Sequence, residues 1–190
     1  MKAFWVMAVV LGLTTGLTVS LTAGSASAAI SVLGGGQAQE CFIAAKEGKF
    51  DNASLATCDL ALDTEILPPK DRGGTLINRG VIKLMRGEYE AAHADFNAGI
   101  GLIPDVGEGW INRGAMFIGE RRYKEALSDI DKAIGLGLHE PAKAFYNRAI
   151  AYEGLDDETS AYLDYQQALV LKPGWDLPQH ELLRFSVTRR

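Results

Sequence analysis

One tetrapeptide is spelled twice in this chain. Residues 76–96 read LINRGVIKLMRGEYEAAHADF and residues 110–130 read WINRGAMFIGERRYKEALSDI, so Ile-Asn-Arg-Gly recurs after thirty-four residues. A third copy, Asn147-Arg148-Ala149, follows with the same trailing pattern. A self-similar period of this length is the signature of a solenoid, in which no unit can bury its apolar face alone and neighbours must stack. Aligned on Asn-Arg-Gly, the units are 73–106, 107–141 and 142–175. Small residues recur at Gly80 and Ala92, Gly114 and Ala126, and Ala149 and Ala161, where two helices of a hairpin can approach closely. Bulky residues recur at Tyr89, Phe96, Tyr123 and Tyr165, suited to filling the grooves between hairpins, and Pro104 and Pro173 stop second helices.

The spacing of small and bulky residues resembles the tetratricopeptide repeat over Gly73 to Trp175. The resemblance implies an all-α, right-handed α-solenoid of stacked helix-turn-helix hairpins and a role in binding other proteins. Three departures from the pattern stand out. Gly99 replaces the usual Ala of a second helix, at a cost of up to about 1 kcal/mol of helix propensity. Arg121 stands where a turn glycine is usual, and one extra residue lies near Gly137 to Pro141, which is expected to alter the angle between units two and three.

An array of this kind needs covered ends. Residues 38–70 have the spacing of two helices around Lys46-Glu47-Gly48-Lys49 and read as a degenerate N-terminal hairpin. Its two cysteines, Cys41 and Cys58, favour a disulfide over a pair of buried thiols, and no Cys-x-x-Cys spacing points to redox chemistry. Residues 176–190 read as a C-terminal capping helix, with Asp176 as its cap and an apolar stripe of Leu182, Leu183, Phe185 and Val187. At the other end, Lys2, an uncharged run from Ala3 to Leu21 and a small-residue stretch ending at Ala28 have the three parts of a signal peptide over 1–28. Residues 29–37, with Gly34-Gly35-Gly36, then read as a flexible leader. On this reading the protein is exported, bacterial in type and periplasmic if the source is Gram-negative, and its mature form does not span a membrane.

Two ladders of side chains repeat with the units. Arg79, Arg113 and Arg148 each precede an aspartate by sixteen residues, namely Asp95, Asp129 and Asp164, as expected of a structural ion pair made once per unit. The spacing leaves open whether the pair closes within a unit or across to the next. Asn78, Asn112 and Asn147 form the second ladder. The resemblance places them on the concave groove, flanked by Ile77 and Val81, Ile111 and Ala115, and Lys143, Tyr146 and Ile150. An amide offers donors and an acceptor to a peptide backbone, so the ladder can grip an extended peptide or protein partner. The alternative is that the asparagines bridge helices inside the solenoid or fold against a terminal helix that fills the groove. Only Asn112 and Lys143 match the five-residue carboxylate clamp known in the family, so capture of a C-terminal carboxylate is not expected.

Other functions are disfavoured by composition. With 19 Lys and Arg against 24 Asp and Glu, the net charge of −5 gives no basic surface for nucleic acid. His93, His139 and His180 are scattered without metal-ligand spacing, and no catalytic constellation or cofactor motif is present, so neither an enzyme, a metal site nor a small-molecule cofactor is expected. Besides a peptide-binding module, two readings stay open: a structural subunit of an envelope complex that uses its outer faces, and an enzyme with an unrecognised site.

Overall fold

Helices of similar length alternate with short turns along the whole repeat region. The computed structural model describes residues 7–11, 29–32 and 36–189. Four helical hairpins follow one another: α1 (Gln37–Glu47) with α2 (Asn52–Thr64), α3 (Pro69–Met85) with α4 (Tyr89–Leu102), α5 (Gly107–Gly119) with α6 (Tyr123–Leu136), and α7 (Pro141–Glu153) with α8 (Glu158–Leu171). They form an all-α solenoid of paired helices, trailed by α9 (Asp176–Leu182). Local chemistry sets several boundaries. Asp51 caps α2 by accepting from Ser54 N at 2.8 Å, and Asp157 caps α8 through Ser160 N at 3.1 Å. Pro69 and Pro141 occupy the first positions of α3 and α7, where a missing N–H costs nothing. Helix α3 therefore starts four residues before the sequence repeat does.

Within each hairpin the helices meet over small residues. A Cβ added at Gly80 would lie 2.7 Å from the Phe96 ring, and one at Gly114 would lie 2.8 Å from Ile130 Cγ1. The departure at Gly99 has the same cause, since a Cβ there would come within 2.6 Å of Ile77 Cγ1 and 2.9 Å of the Gly73 carbonyl. Between hairpins, Tyr89 packs on Gly119 and Tyr123 on Gly154, so each tyrosine fills the groove of the following unit. The extra residue of unit two is absorbed at the start of α7, where Pro141 opens the helix six residues before Asn147 while Gly107 opens α5 five residues before Asn112, and Gly137 before it takes a φ of 85°.

The arginine ladder closes both ways. In each unit the guanidinium makes a two-point fork on the aspartate of its own second helix: Arg79 on Asp95 at 2.8 and 2.6 Å, Arg113 on Asp129 at 2.7 and 2.9 Å, and Arg148 on Asp164 at 2.7 and 2.9 Å. The remaining Nη1 donates to the preceding hairpin, at Asp59, Asn97 and Asp131 respectively, each at 2.7 Å. One side chain thus ties a hairpin together and ties it to its neighbour. The aspartates are buried and the bidentate geometry is the strong form of such a pair.

The ends differ more from expectation. Cys41 and Cys58 are joined in a disulfide, both fully buried, across α1 and α2. Closing a loop of 17 residues contributes about 3 kcal/mol in the chain-entropy model. The C-terminal helix is shorter than the sequence suggests. It stops at Leu182, Asp176 is its first residue rather than its cap, and Phe185–Arg189 forms a strand, β2, antiparallel to β1 (Met7–Leu11). Ser, Val and Thr lose more in a helix than in a strand, which accounts for the switch. Leu183, expected in an apolar stripe, is exposed instead, while Phe185 is buried against Tyr162 and Tyr165. Apart from 7–11, the expected signal peptide lies outside the described residues. No helix among the described residues is long and apolar enough to cross a membrane.

The turn between the two helices of each unit uses the same backbone device. Gly87, Arg121 and Asp156 occupy equivalent positions and all have positive φ, 77°, 59° and 60°. For the two with a Cβ this is the strained left-handed region. Replacing the exposed Arg121 by glycine relieves that strain against a smaller loss from the freer unfolded chain. Arg121→Gly is expected to raise stability by about 0.5–1 kcal/mol in urea unfolding.

Candidate functional site

The first helix of each unit supplies the concave face, because its neighbour α4, α6 or α8 covers the opposite side. Asn78 and Arg79, adjacent in sequence, are turned about 100° apart on a helix. Arg79 reaches the second helix, while Asn78, Asn112 and Asn147 are buried on the first helices. Of the ten groove residues expected from the sequence, Ile77, Asn78, Val81, Ile111, Asn112, Ala115, Tyr146, Asn147 and Ile150 are all buried. Lys143 is partly exposed and ion-paired to Glu140 at 2.6 Å.

The three asparagines stand in different surroundings. Asn78 meets residues 29–32, which are docked on the first unit and not a free leader. Its Nδ2 donates to the Ile30 carbonyl and its Oδ1 accepts from the Ile30 N–H, both at 2.8 Å. Asn112 is buried at the middle of the face. Asn147 is fully buried too, yet neither its Nδ2 nor its Oδ1 has a hydrogen-bond partner among the described residues. Around it the third unit is aromatic. Tyr146 lies 5.6 Å from Tyr165 and 5.0 Å from Trp175, ring centre to ring centre. Burial first, then the nearby Glu181 and Glu153, push the Tyr146 hydroxyl up to about 12. Arg184 closes this end by a two-oxygen contact with Glu153 at 2.7 and 2.9 Å.

A cleft of about 750 Å³ is lined by Ala29 to Ser31, Phe42, Lys46, Glu108, Leu138 and His139, and of the ten expected groove residues by Ile111 and Lys143 alone. Its rim mixes Lys46, Lys70 and Lys143 with Asp105, Glu108 and Glu140, giving no single sign of charge. His139 Nδ1 sits 3.0 Å from Glu108 Oε1, and that hydrogen bond, followed by the carboxylate's charge, raises the imidazole above its usual value. Among the described residues no group of His, Cys, Asp or Glu is arranged to hold a metal.

Sequence reasoning did not find Ile30, Val32 or the Glu108–His139 contact. One signal was available. Gly74 occupies the concave position held by Glu108 and Lys143 in the other units, and a Cβ there would lie 3.2 Å from Ile30 Cγ2 and 3.5 Å from Val32 Cγ2.

No family model matches the chain. Similarity to known proteins is nevertheless clear. Human (Homo sapiens) sperm-associated antigen 1 is 31% identical over 119 residues, covering 62% of this chain and 13% of that protein. The mitochondrial import receptor subunit TOM70 of Rattus norvegicus is 28% identical over 148 residues, covering 75% of this chain and 24% of that protein. Among solved structures, the second tetratricopeptide domain of human RPAP3, in complex with the HSP70 peptide SGPTIEEVD, superposes with a TM-score of 0.57 at 28% identity, covering 61% of this chain and 96% of that domain. The chain carries a tetratricopeptide-like all-α repeat domain, homologous to several tetratricopeptide proteins. It spans about a quarter or less of the curated relatives it matches. Those relatives include a mitochondrial import receptor subunit and, in Triticum aestivum, an Hsp70-Hsp90 organizing protein that is 32% identical over 95 residues. They also correct the exported, periplasmic or secreted location expected from residues 1–28: the relatives are cytoplasmic or organellar, a mitochondrial import receptor among them.

Two measurements check this geometry. Asn78 and Asn147 should respond oppositely to a change to leucine. Asn78→Leu strips two buried backbone partners and should cost about 2 kcal/mol, whereas Asn147→Leu removes an unpartnered amide and should stabilise by about 1 kcal/mol in chemical unfolding. For His139, a raised folded pKa means that the contact with Glu108 stabilises fully below the unfolded value near 6.5 and is lost as pH rises through the folded one. An NMR titration should place the His139 midpoint above 6.5, and Glu108→Gln should return it to about 6.5.

Proposed function

We propose that the chain is a protein-interaction module that takes an extended peptide across the concave face of α3, α5 and α7. Units 73–106, 107–141 and 142–175 supply one asparagine rung each, flanked by Ile77, Val81, Ile111, Ala115, Tyr146 and Ile150, with Lys143 at the rim of the cleft. The observation that carries this reading is the amide of Asn147, fully buried and without a hydrogen-bond partner among the described residues. An unsatisfied buried amide costs about 1–3 kcal/mol, and a peptide backbone supplies the donor and acceptor that it lacks. Likeness to interaction domains, one of them solved with a bound peptide, supports the same reading.

A photo-reactive residue at Lys143, partly exposed beside the cleft, should crosslink a partner peptide in cell extract. The same residue at Glu125, exposed on α6, should not. The Lys143 adduct should fall at least tenfold in an Asn147→Leu background. Adducts from Glu125 alone, or a Lys143 adduct indifferent to Asn147, would place the working surface elsewhere.

A further inference from the structure

The first unit already holds something shaped like a ligand. Residues 29–32 run beside α3, with Asn78 gripping the Ile30 backbone at both its N–H and its carbonyl. This two-point contact is what an amide rung makes with a peptide, and it carries no sequence information of its own. The side chains alternate as an extended peptide's do: Ile30 is buried, Ser31 is exposed and Val32 is buried. Ile30 joins the main core with Ile77 and Val81, whereas Val32 packs on Ala38 and Ala61 of the first hairpin. Gly74 lies beneath both, its missing Cβ leaving the room they occupy.

We propose that residues 29–32 are a tethered internal occupant of the groove, and that its partner is an uncharged extended peptide with β-branched aliphatic residues at alternate positions, which binds by displacing them. The proposal rests on the concave face being the peptide site. The occupant itself defines the partner's chemistry, because the Gly74 recess accepts Ile and Val two residues apart and the rung at Asn78 accepts any backbone. Chain connectivity makes the occupancy intramolecular: residue 32 is joined to α1 through Leu33-Gly34-Gly35-Gly36, a glycine-rich stretch. An intramolecular occupant competes at an effective concentration in the millimolar range, so an external peptide must be tight or must bind beyond the first rung as well. Asn147, buried and unpartnered at the far unit, is such a further rung.

Two experiments on the full chain test this. In native-state hydrogen exchange read by NMR, the Ile30 amide should be protected, yet should exchange at least a hundredfold faster than the slowest amides of α3 and α5, because the segment leaves while the solenoid stays folded. Protection equal to the slowest amides would make residues 29–32 a fixed part of the core and overturn the proposal, as would no protection at all. In fluorescence anisotropy, a labelled peptide copying residues 28–34 should bind the Ile30→Ser, Val32→Ser double variant at least tenfold more tightly than the unaltered chain. Adding Asn78→Ala should abolish that gain. A folded double variant that binds no more tightly than the unaltered chain overturns the proposal. The peptide is the chain's own, so this result is independent of the Lys143 crosslink: either reading can fail while the other's experiment succeeds.

Discussion

The close approach of paired helices is the condition on which the rest of this structure stands. Where Gly80 faces Phe96 and Gly114 faces Ile130, a single added carbon would push the helices apart. At that separation a guanidinium on the first helix can reach both oxygens of an aspartate on the second. The fork also leaves one N–H free to turn back toward the preceding hairpin, so spacing within a unit and stacking between units are set together. The same helices that carry the arginines carry the asparagines, one residue earlier. The arginine network thereby lies on the side of each first helix that meets its second helix and the preceding hairpin.

Much of this was legible in the sequence because it repeats. A feature present three times at one spacing can be read without knowing the contact it makes, which is how the Arg–Asp pairs were found. Features that occur once were harder to read. Ile30-Ser31-Val32 alternates over too few residues to announce a docked strand, and its partner Asn78 lies 48 residues away. The change from helix to strand after Leu182 depends on pairing with residues 7–11, a contact across nearly the whole chain. Phe185 and Leu183 were assigned to one stripe by helical spacing, and the backbone turn between α9 and β2 separates them. The location inferred from residues 1–28 came from composition alone and was overturned by relatives matched through the repeats.

The face of the first helices that carries Asn78, Asn112 and Asn147 is apolar around its amides. Its residues are as buried as those between the hairpins, so burial alone does not reveal it. Between the helices, Asp95, Asp129 and Asp164 are all tied to arginines. On the concave side Asn78 is satisfied by a backbone from outside the repeats, and Asn147 is not satisfied by any described residue. A core built for stability would place an apolar residue at 147. An amide held there without a partner among the described residues costs stability.

The covalent bond between α1 and α2 gives the solenoid a direction. In a stacked array each hairpin is held chiefly by its neighbours, and opening begins at whichever end is held least. The Cys41–Cys58 bridge pins the hairpin at the N-terminal end. At the opposite end, α9 is seven residues long and the Tyr165 hydroxyl and Arg184 Nε are buried without partners among the described residues. The C-terminal end is held without such a covalent tie, by the two-oxygen contact of Arg184 with Glu153 and by the pairing of β2 with β1. The unit at that end carries Asn147, whose amide has no hydrogen-bond partner among the described residues.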